Sequence, residues 1–132
     1  MTYLLDTHVL LWWLEGGGRL PASHQAAIES ARAERPLLVC GITLWEIATL
    51  VARRRVRLAL PLRDWLERAT AAPLVHRVDL TPAVASEVAA LPESFHRDPA
   101  DRIIVATARV HGAAVVTSDR RIIDSGVVPT VS

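Results

Sequence analysis

The sequence contains no lysine: all fifteen of its basic residues are arginine. This bias, with the abundant alanine, is typical of a GC-rich genome, although the planar guanidinium also suits phosphate. The single cysteine, Cys40, excludes an intrachain disulfide and a metal site built from several cysteines. No apolar run reaches the roughly 20 residues that span a bilayer, and the first residues lack a basic leader. We therefore expect a cytoplasmic protein without a membrane segment.

The length and composition predict one globular domain over residues 1–132. Hydrophobic residues make up 51% of the chain and charged residues 22%, values that exclude a disordered or fibrous protein. A net charge of +1 argues against binding to nucleic acid through overall positive charge. Any contact with a polyanion must therefore come from local features.

Short apolar segments alternate with helical segments along the chain. Strands are predicted at residues 2–6, 36–42, 74–80 and 113–119, with a short edge strand at 127–131. Helices are predicted at residues 8–15, 22–35, 43–55, 62–71, 81–91 and 98–112, and Gly16, Gly17 and Gly18 end the first of them. Because the strands lack alternating polarity, we expect an α/β fold with a mainly parallel sheet between two layers of helices.

Five acids lie where such a sheet would bind a ligand, beyond the carboxyl ends of its strands. Asp6 and Asp119 directly follow strands, and Glu46 lies in the first turn of a helix. Asp98 and Asp101 lie at the start of another helix. The sequence therefore predicts a cluster of carboxylates at one edge of the sheet.

Each acid also has a purely structural explanation. Thr43 and Glu46 fit a capping box, in which the two side chains bond each other's backbone amides. Asp98 is a suitable N-cap, and an acid at position 101 is favoured by the helix dipole. Asp6 and Asp119 are both suitable turn residues. Taken one at a time, these explanations are the simpler ones.

Taken together, the acids favour a metal site. Two unit charges about 4 Å apart repel by about 4 kcal/mol at an effective dielectric constant near 20. A cluster of carboxylates is therefore unfavourable unless it is protonated or bridged by a cation, and Mg²⁺ or Mn²⁺ prefers such oxygen ligands. Metals held in this way activate water for the cleavage of phosphodiesters.

Four segments in this order resemble the PIN-domain family, and within it the VapC-type toxins of type II toxin–antitoxin pairs. They are "LLDTHVLLWWL", "ITLWEIATL", "HRDPADRIIVATA" and "VVTSD", and the resemblance covers nearly the whole chain. It implies a three-layer α/β/α sandwich around a parallel five-stranded sheet. It also implies a Mg²⁺- or Mn²⁺-dependent endoribonuclease that cleaves RNA, binds a cognate antitoxin and forms a homodimer.

Carried over by motif, the resemblance implies an acidic catalytic quartet of Asp6, Glu46, Asp101 and Asp119. Asp6 and Asp101 would bind the metal, and Glu46 and Asp119 would bind it directly or through water. Asp98 is interpreted as the helix cap, with an accessory metal contact as the alternative. Three hydroxyl positions match residues that orient carboxylates or water, namely Thr7, Thr117 and Ser118.

Other features suggest contacts beyond the acids. Arg102 is a candidate for contact with RNA near the cleaved phosphate. The basic run at residues 53–57 fits a solvated helix end or a contact with a flanking phosphate. Of Trp12 and Trp13, we expect one to pack on the sheet, and for the other the sequence leaves open a partner contact or simple burial. His8 and His96 lack a partner at ligand spacing, so we expect ordinary roles for them.

Two other functions compete with the nuclease. One is a PIN-fold RNA-binding or regulatory module whose metal site is vestigial, which the complete quartet disfavours. The other is a phosphohydrolase of the haloacid-dehalogenase type, whose first strand should end in Asp-x-Asp. This chain has "DTH" at that point, which disfavours the second alternative.

Overall fold

The structure, a computed structural model, describes residues 1–16 and 18–132. Its strands are β1 (Thr2–Leu5), β2 (Leu37–Cys40), β3 (Val75–Val78), β4 (Ala113–Val116) and β5 (Thr130–Val131). Its helices are α1 (Thr7–Glu15), α2 (Ala22–Glu29), α3 (Gly41–Ala52), α4 (Leu62–Ala69), α5 (Pro82–Ala90), α6 (Pro99–His111) and α7 (Arg120–Ile123). Gly16 ends α1 as predicted. Gly17, which was predicted to help end it, lies outside the described residues.

The five strands form one sheet in the order β3-β2-β1-β4-β5, and every neighbouring pair is parallel. In the centre, Leu4 of β1 lies beside Leu38 of β2 and Val115 of β4. Because all strands run the same way, the residues that follow them lie at one edge. The predicted five-stranded parallel sheet is confirmed.

Helices cover both faces of the sheet, which confirms the three-layer arrangement. Leu4 and Val115 point to one face, where they pack with Val84 of α5, Ile104 of α6 and Ile122 of α7. The next residues along the same strands, Leu5 and Val116, point to the other face. There they pack with residues of α1, α2, α3 and α4. Successive strand residues alternate between faces, so each face receives its own apolar set.

Two helices differ most from their predicted bounds. The helix predicted at 22–35 ends at Glu29, where the Ser30 hydroxyl donates to the carbonyl of Ala27 and competes with a further helical turn. The helix predicted from Thr43 begins earlier, at Gly41. Thr43 therefore lies inside the first turn, fully buried, and its side chain bonds Thr7 rather than the backbone. The capping-box interpretation of Thr43 and Glu46 is wrong for this reason.

The end of the chain forms more helix and less strand than predicted. The helix α7 was not predicted, because its four residues are too few to show a helical period. The edge strand predicted at 127–131 is reduced to the two residues of β5. The carbonyl of Pro129 still accepts from the amide of Val115, so the segment remains tied to β4.

Helix α6 begins and ends as its sequence predicts. Asp98 is its N-cap and accepts a hydrogen bond from the amide of Asp101 at 3.0 Å, while Pro99 takes the first helical position. Gly112 ends the helix in the left-handed conformation. With 13 residues α6 is the longest of the described helices, and none of them is long and apolar enough to cross a membrane.

We predict that Asp98→Ala lowers the free energy of unfolding by about 1 kcal/mol, the usual loss for an N-cap. Asp98→Asn should keep nearly the full stability, because an asparagine oxygen can accept the same bond from the amide of Asp101. Both variants remove the negative charge, so the difference between them isolates the cap. Urea unfolding followed by circular dichroism measures it, and equal stabilities for the two variants would contradict the capping role.

Candidate metal centre

A cavity of about 360 Å³ opens at the edge of the sheet where β1 and β4 end. All five predicted acids line it, together with Thr7, Ser118 and Arg121 among others. The acids come from segments far apart in the sequence, and the parallel sheet is what brings them together.

Asp6 follows β1 and caps α1, and both of its carboxylate oxygens are engaged. Oδ1 accepts from the amide of Thr7 at 2.8 Å, and Oδ2 accepts from the Thr117 hydroxyl at 2.7 Å. The oxygen of Thr117 also accepts from the amide of Asp119 at 2.9 Å. One buried threonine after β4 thus connects Asp6 with Asp119.

Glu46 extends from α3 toward the first turn of α1. Its Oε1 accepts a hydrogen bond from the hydroxyl of Thr7, and that hydroxyl lies 3.0 Å from the hydroxyl of Thr43. Thr7 and Thr43 are both buried. These two threonines therefore fix the direction of the Glu46 carboxylate.

Asp101 is buried in the first turn of α6, between a histidine and an arginine. Its Oδ2 lies 3.1 Å from His96 Nε2 and 3.5 Å from Arg121 Nη2. The Asp101 side chain is only 10% exposed, so these contacts replace most of its water. The neighbouring Asp98 caps the helix, as predicted.

Asp119 follows β4 and caps α7. Its Oδ1 accepts from the amide and the Nε of Arg121, and its Oδ2 accepts from Nη2 at 3.0 Å. Arg121 thus forms a two-point contact with Asp119 and reaches across to Asp101. Its guanidinium is the only one among the described residues that lines the acidic cavity.

The pKa values show the cost of gathering these acids. Burial, together with repulsion by Asp6, Asp98 and the other acids, raises the pKa of Asp101 to about 7. Burial also raises the pKa of Asp6 and of Glu46. Burial alone would raise the pKa of Asp119 as well, but the hydrogen bonds and charge of Arg121 outweigh it and lower that pKa.

Two overlapping groups of side chains have the spacing of metal ligands. One consists of His96, Asp101 and Asp119, the other of Glu46, Asp98 and Asp101, and the ligand atoms within each group lie within 4.8 Å of one another. Carboxylate oxygens with one imidazole suit Mg²⁺ or Mn²⁺, and a cation would offset the repulsion that raises the Asp101 pKa. Asp101 is common to both groups, whereas Asp6 belongs to neither.

Some of the other predicted residues line the cavity, and the others do not. Ser118 lines the cavity and is exposed, and Trp12 lines it from α1. Trp13 packs against the core beneath α1, so one tryptophan packs on the sheet side as expected. Arg102 does not line the cavity, because its guanidinium donates to the carbonyls of Phe95 and His96 and lies over the Phe95 ring. It braces the loop before α6.

Arg121 lines the cavity, and His96 and Thr43 contact residues that line it, but none of the three was predicted as part of the site. Arg121 follows Asp119 by two positions, and a cluster of acids needing a positive charge nearby was the available signal. His96 was assigned an ordinary role because its distance in sequence from Asp101 matches no ligand motif. Thr43 was assigned to a cap, and no sequence signal distinguishes that role from the contact it makes with Thr7.

Comparison with known proteins identifies the family. Residues 3–126 match the PIN domain. Ribonuclease VapC22 of Mycobacterium tuberculosis (strain ATCC 25618 / H37Rv) is 45% identical over 121 residues, which cover 92% of this chain and 89% of that protein.

Solved structures agree with this match at the level of the fold. FitAcB from Neisseria gonorrhoeae superposes with a TM-score of 0.71 at 23% identity, covering 99% of this chain and 97% of that one. A toxin–antitoxin complex from Klebsiella pneumoniae gives a TM-score of 0.70 at 18% identity, with the same coverage. The sequence match over most of its length shows that the chain belongs to the PIN-domain family.

Proposed function

We propose that the protein is a metal-dependent endoribonuclease and acts as the toxin of a toxin–antitoxin pair. The observation that carries the proposal is the cavity in which five carboxylates from β1, α3, α6 and β4 meet. The relative at 45% identity is named a ribonuclease, which supports RNA as the substrate. Because the acids that a nuclease needs are all present, we favour catalysis over a regulatory module with a vestigial site.

Asp101 would be the central metal ligand, because it belongs to both groups of ligand spacing. Glu46 and Asp119 would complete the coordination directly or through water, and Asp98 lies close enough to take part. Asp6 would bind the metal as well, because each of its oxygens accepts a single hydrogen bond and keeps a lone pair for a cation. When bound, Mg²⁺ or Mn²⁺ supplies an activated water and stabilises the charge that develops on the phosphate.

The chain's own residues orient the acids and receive the substrate. Thr7 holds Glu46, and Thr117 holds Asp6 and the backbone of Asp119. Arg121 keeps one face toward these acids while 61% of its side chain is exposed, so its free donors can bind a phosphate oxygen. Ser118 offers a second polar contact at the rim of the cavity.

No cysteine is available as a nucleophile for this reaction. Cys40, the single cysteine, is 1% exposed in β2, and burial raises the pKa of its thiol. A buried neutral thiol is unreactive. This supports attack by water rather than by a covalent intermediate on this side chain.

An antitoxin is the partner that the comparisons support. The structural neighbours include toxin–antitoxin complexes, among them VapBC2 from Rickettsia felis bound to a fragment of promoter DNA. We further propose a homodimer that acts in the cytoplasm, where a nuclease of this kind meets its RNA. Trp12 or Trp13 as an antitoxin contact stays a prediction.

We predict that Asp101→Asn lowers RNA cleavage in Mn²⁺ or Mg²⁺ by more than about 100-fold, beyond the 10- to 100-fold typical of residues that only orient ligands. The matched control is Asp124→Asn, which removes an equal charge from an exposed acid paired with Arg120. It should cleave like the unmodified chain. Retention of full activity by Asp101→Asn would show that Asp101 is not a metal ligand.

The raised pKa of Asp101 predicts how stability depends on pH without metal. Between pH 3.8 and about 7 the unfolded chain loses this proton while the folded chain keeps it, so the contribution of Asp101 to stability falls as pH rises. Urea unfolding in EDTA should therefore show Asp101→Asn gaining stability relative to the unmodified chain from pH 4 to pH 8.

Metal should remove the loss of stability that Asp101 causes as the pH rises. Adding Mn²⁺ at pH 8 should stabilise the unmodified chain, because a ligand that binds only the folded state raises its stability. Asp101→Asn should gain much less. The same pH dependence for both proteins in EDTA would contradict the predicted titration of Asp101.

The toxin proposal predicts that expression of this chain alone slows the growth of its native host. Asp101→Asn, expressed to the same level, should restore growth, because the effect depends on RNA cleavage. Sequencing of RNA ends shortly after induction would identify the cleaved molecules. Normal growth with the active protein present would count against a toxin, even if the purified enzyme cleaves RNA.

A further inference from the structure

A second cavity, of about 570 Å³, adjoins the acidic one. We name it the Trp12 groove. It is bounded by α1, by Arg19 and by the segment after α3 that contains Arg55 and Arg57. His8 and Trp12 line both cavities, so the two adjoin at these side chains.

The charge of the Trp12 groove is opposite to that of its neighbour. Arg19, Arg55 and Arg57 are exposed, and no carboxylate in the described ranges lies within ion-pair distance of any of them. The groove also contains one acid, Glu15, whose Oε1 accepts from the amide of Ala59 at 2.9 Å. The groove therefore carries three guanidinium groups available to an anion.

Trp12 adds an aromatic surface at the junction of the two cavities. Its side chain is partly exposed, and its ring centroid lies 6.0 Å from that of His8. Leu11 and Val56 supply apolar surface nearby. Aromatic rings beside cationic side chains form the usual surface for single-stranded nucleic acid, because any base can stack on the ring.

An RNA whose scissile phosphate lies at the acids must continue past them. The phosphates next to the scissile one meet the repulsion of the same carboxylates, and Arg121 is the one guanidinium that the structure describes in that cavity. In the Trp12 groove, the RNA strand can enter a positively charged environment while it stays on the protein surface. Its position and its charge thus complement those of the acidic cavity.

We propose that the Trp12 groove binds single-stranded RNA beside the scissile phosphate, with Arg19, Arg55 and Arg57 contacting phosphates and Trp12 stacking on a base. The proposal rests on the proposed ribonuclease function, because it takes RNA as the substrate. The proposal also assigns different roles to the arginines of the basic run at residues 53–57. Arg55 and Arg57 line the groove, whereas Arg53 and Arg54 lie outside it.

That division provides a matched pair of variants. Arg55→Gln with Arg57→Gln removes two charges from the groove. Arg53→Gln with Arg54→Gln removes two exposed charges from the same run but outside the groove. Both pairs change the net charge equally, so only a local contact can separate them.

Binding is measured without metal, so that no cleavage occurs. A fluorescein-labelled single-stranded RNA of ten nucleotides and mixed sequence is titrated with each protein in EDTA, and anisotropy is followed from 0.1 to 1 M salt. Each phosphate contact with single-stranded RNA contributes about 0.7 to the slope of log K against log salt. The Arg55 and Arg57 variant should lose about 1.4 of this slope.

This change in slope corresponds to about 25-fold weaker binding at 0.1 M salt if the curves converge at 1 M. The Arg53 and Arg54 variant should bind like the unmodified chain. Trp12→Leu should weaken binding by about 5- to 150-fold, the range for losing one stacked base, with the slope unchanged. Thermal unfolding of each variant checks that the fold is intact.

Equal loss of affinity in the two double variants would overturn the proposal, since it would indicate a general effect of charge. Unchanged RNA affinity in the Arg55 and Arg57 variant would also overturn it and would leave the groove to a protein partner such as the antitoxin. Cleavage of the same RNA in Mn²⁺ is measured separately. Intact binding without cleavage would contradict the proposed nuclease function but not RNA binding in the Trp12 groove.

Discussion

Repulsion among clustered carboxylates, of which Asp6 and Asp101 are buried, is the constraint on which the site depends. Five acids line one cavity, and burial with mutual repulsion brings the pKa of Asp101 to about 7. The chain offsets this cost with fixed donors: Thr7 to Glu46, Thr117 to Asp6, and Arg121 to Asp119. These donors lie in the first turns of helices or directly after a strand, so they fix the positions of the acids.

The topology of the sheet explains why the cavity lies where it does. The strand order β3-β2-β1-β4-β5 proceeds in one direction from β1 to β3 and in the other from β4 to β5. The loops that leave β1 and β4 therefore diverge to opposite faces, and a crevice opens between them. Asp6 and Asp119 lie at its two sides, and Thr117 spans it. A sheet with all its connections on one face would have no such opening.

The sequence predicted the frame of the site better than its details. Asp6 and Asp119 could be placed at one edge because each directly follows an apolar strand, and parallel strands end together. The contact of Thr43 could not be predicted, because it depends on a rotamer and on a helix start that lies two residues earlier than expected. The repulsion among the acids was a signal for a positive charge nearby, but not for Arg121 as its source. The direction of the Arg102 side chain could not be predicted either. Its neighbour Asp101 points into the cavity while Arg102 turns back to the loop before α6.

The two cavities respond differently to acidity. A guanidinium keeps its charge throughout the pH range in which proteins stay folded. The three arginines of the Trp12 groove therefore present a constant charge, whereas the acidic cavity loses or gains a charge near neutrality through Asp101. A drop in pH or the arrival of a cation at the acids therefore weakens the contrast in charge between the two cavities, because either one reduces the negative charge at Asp101.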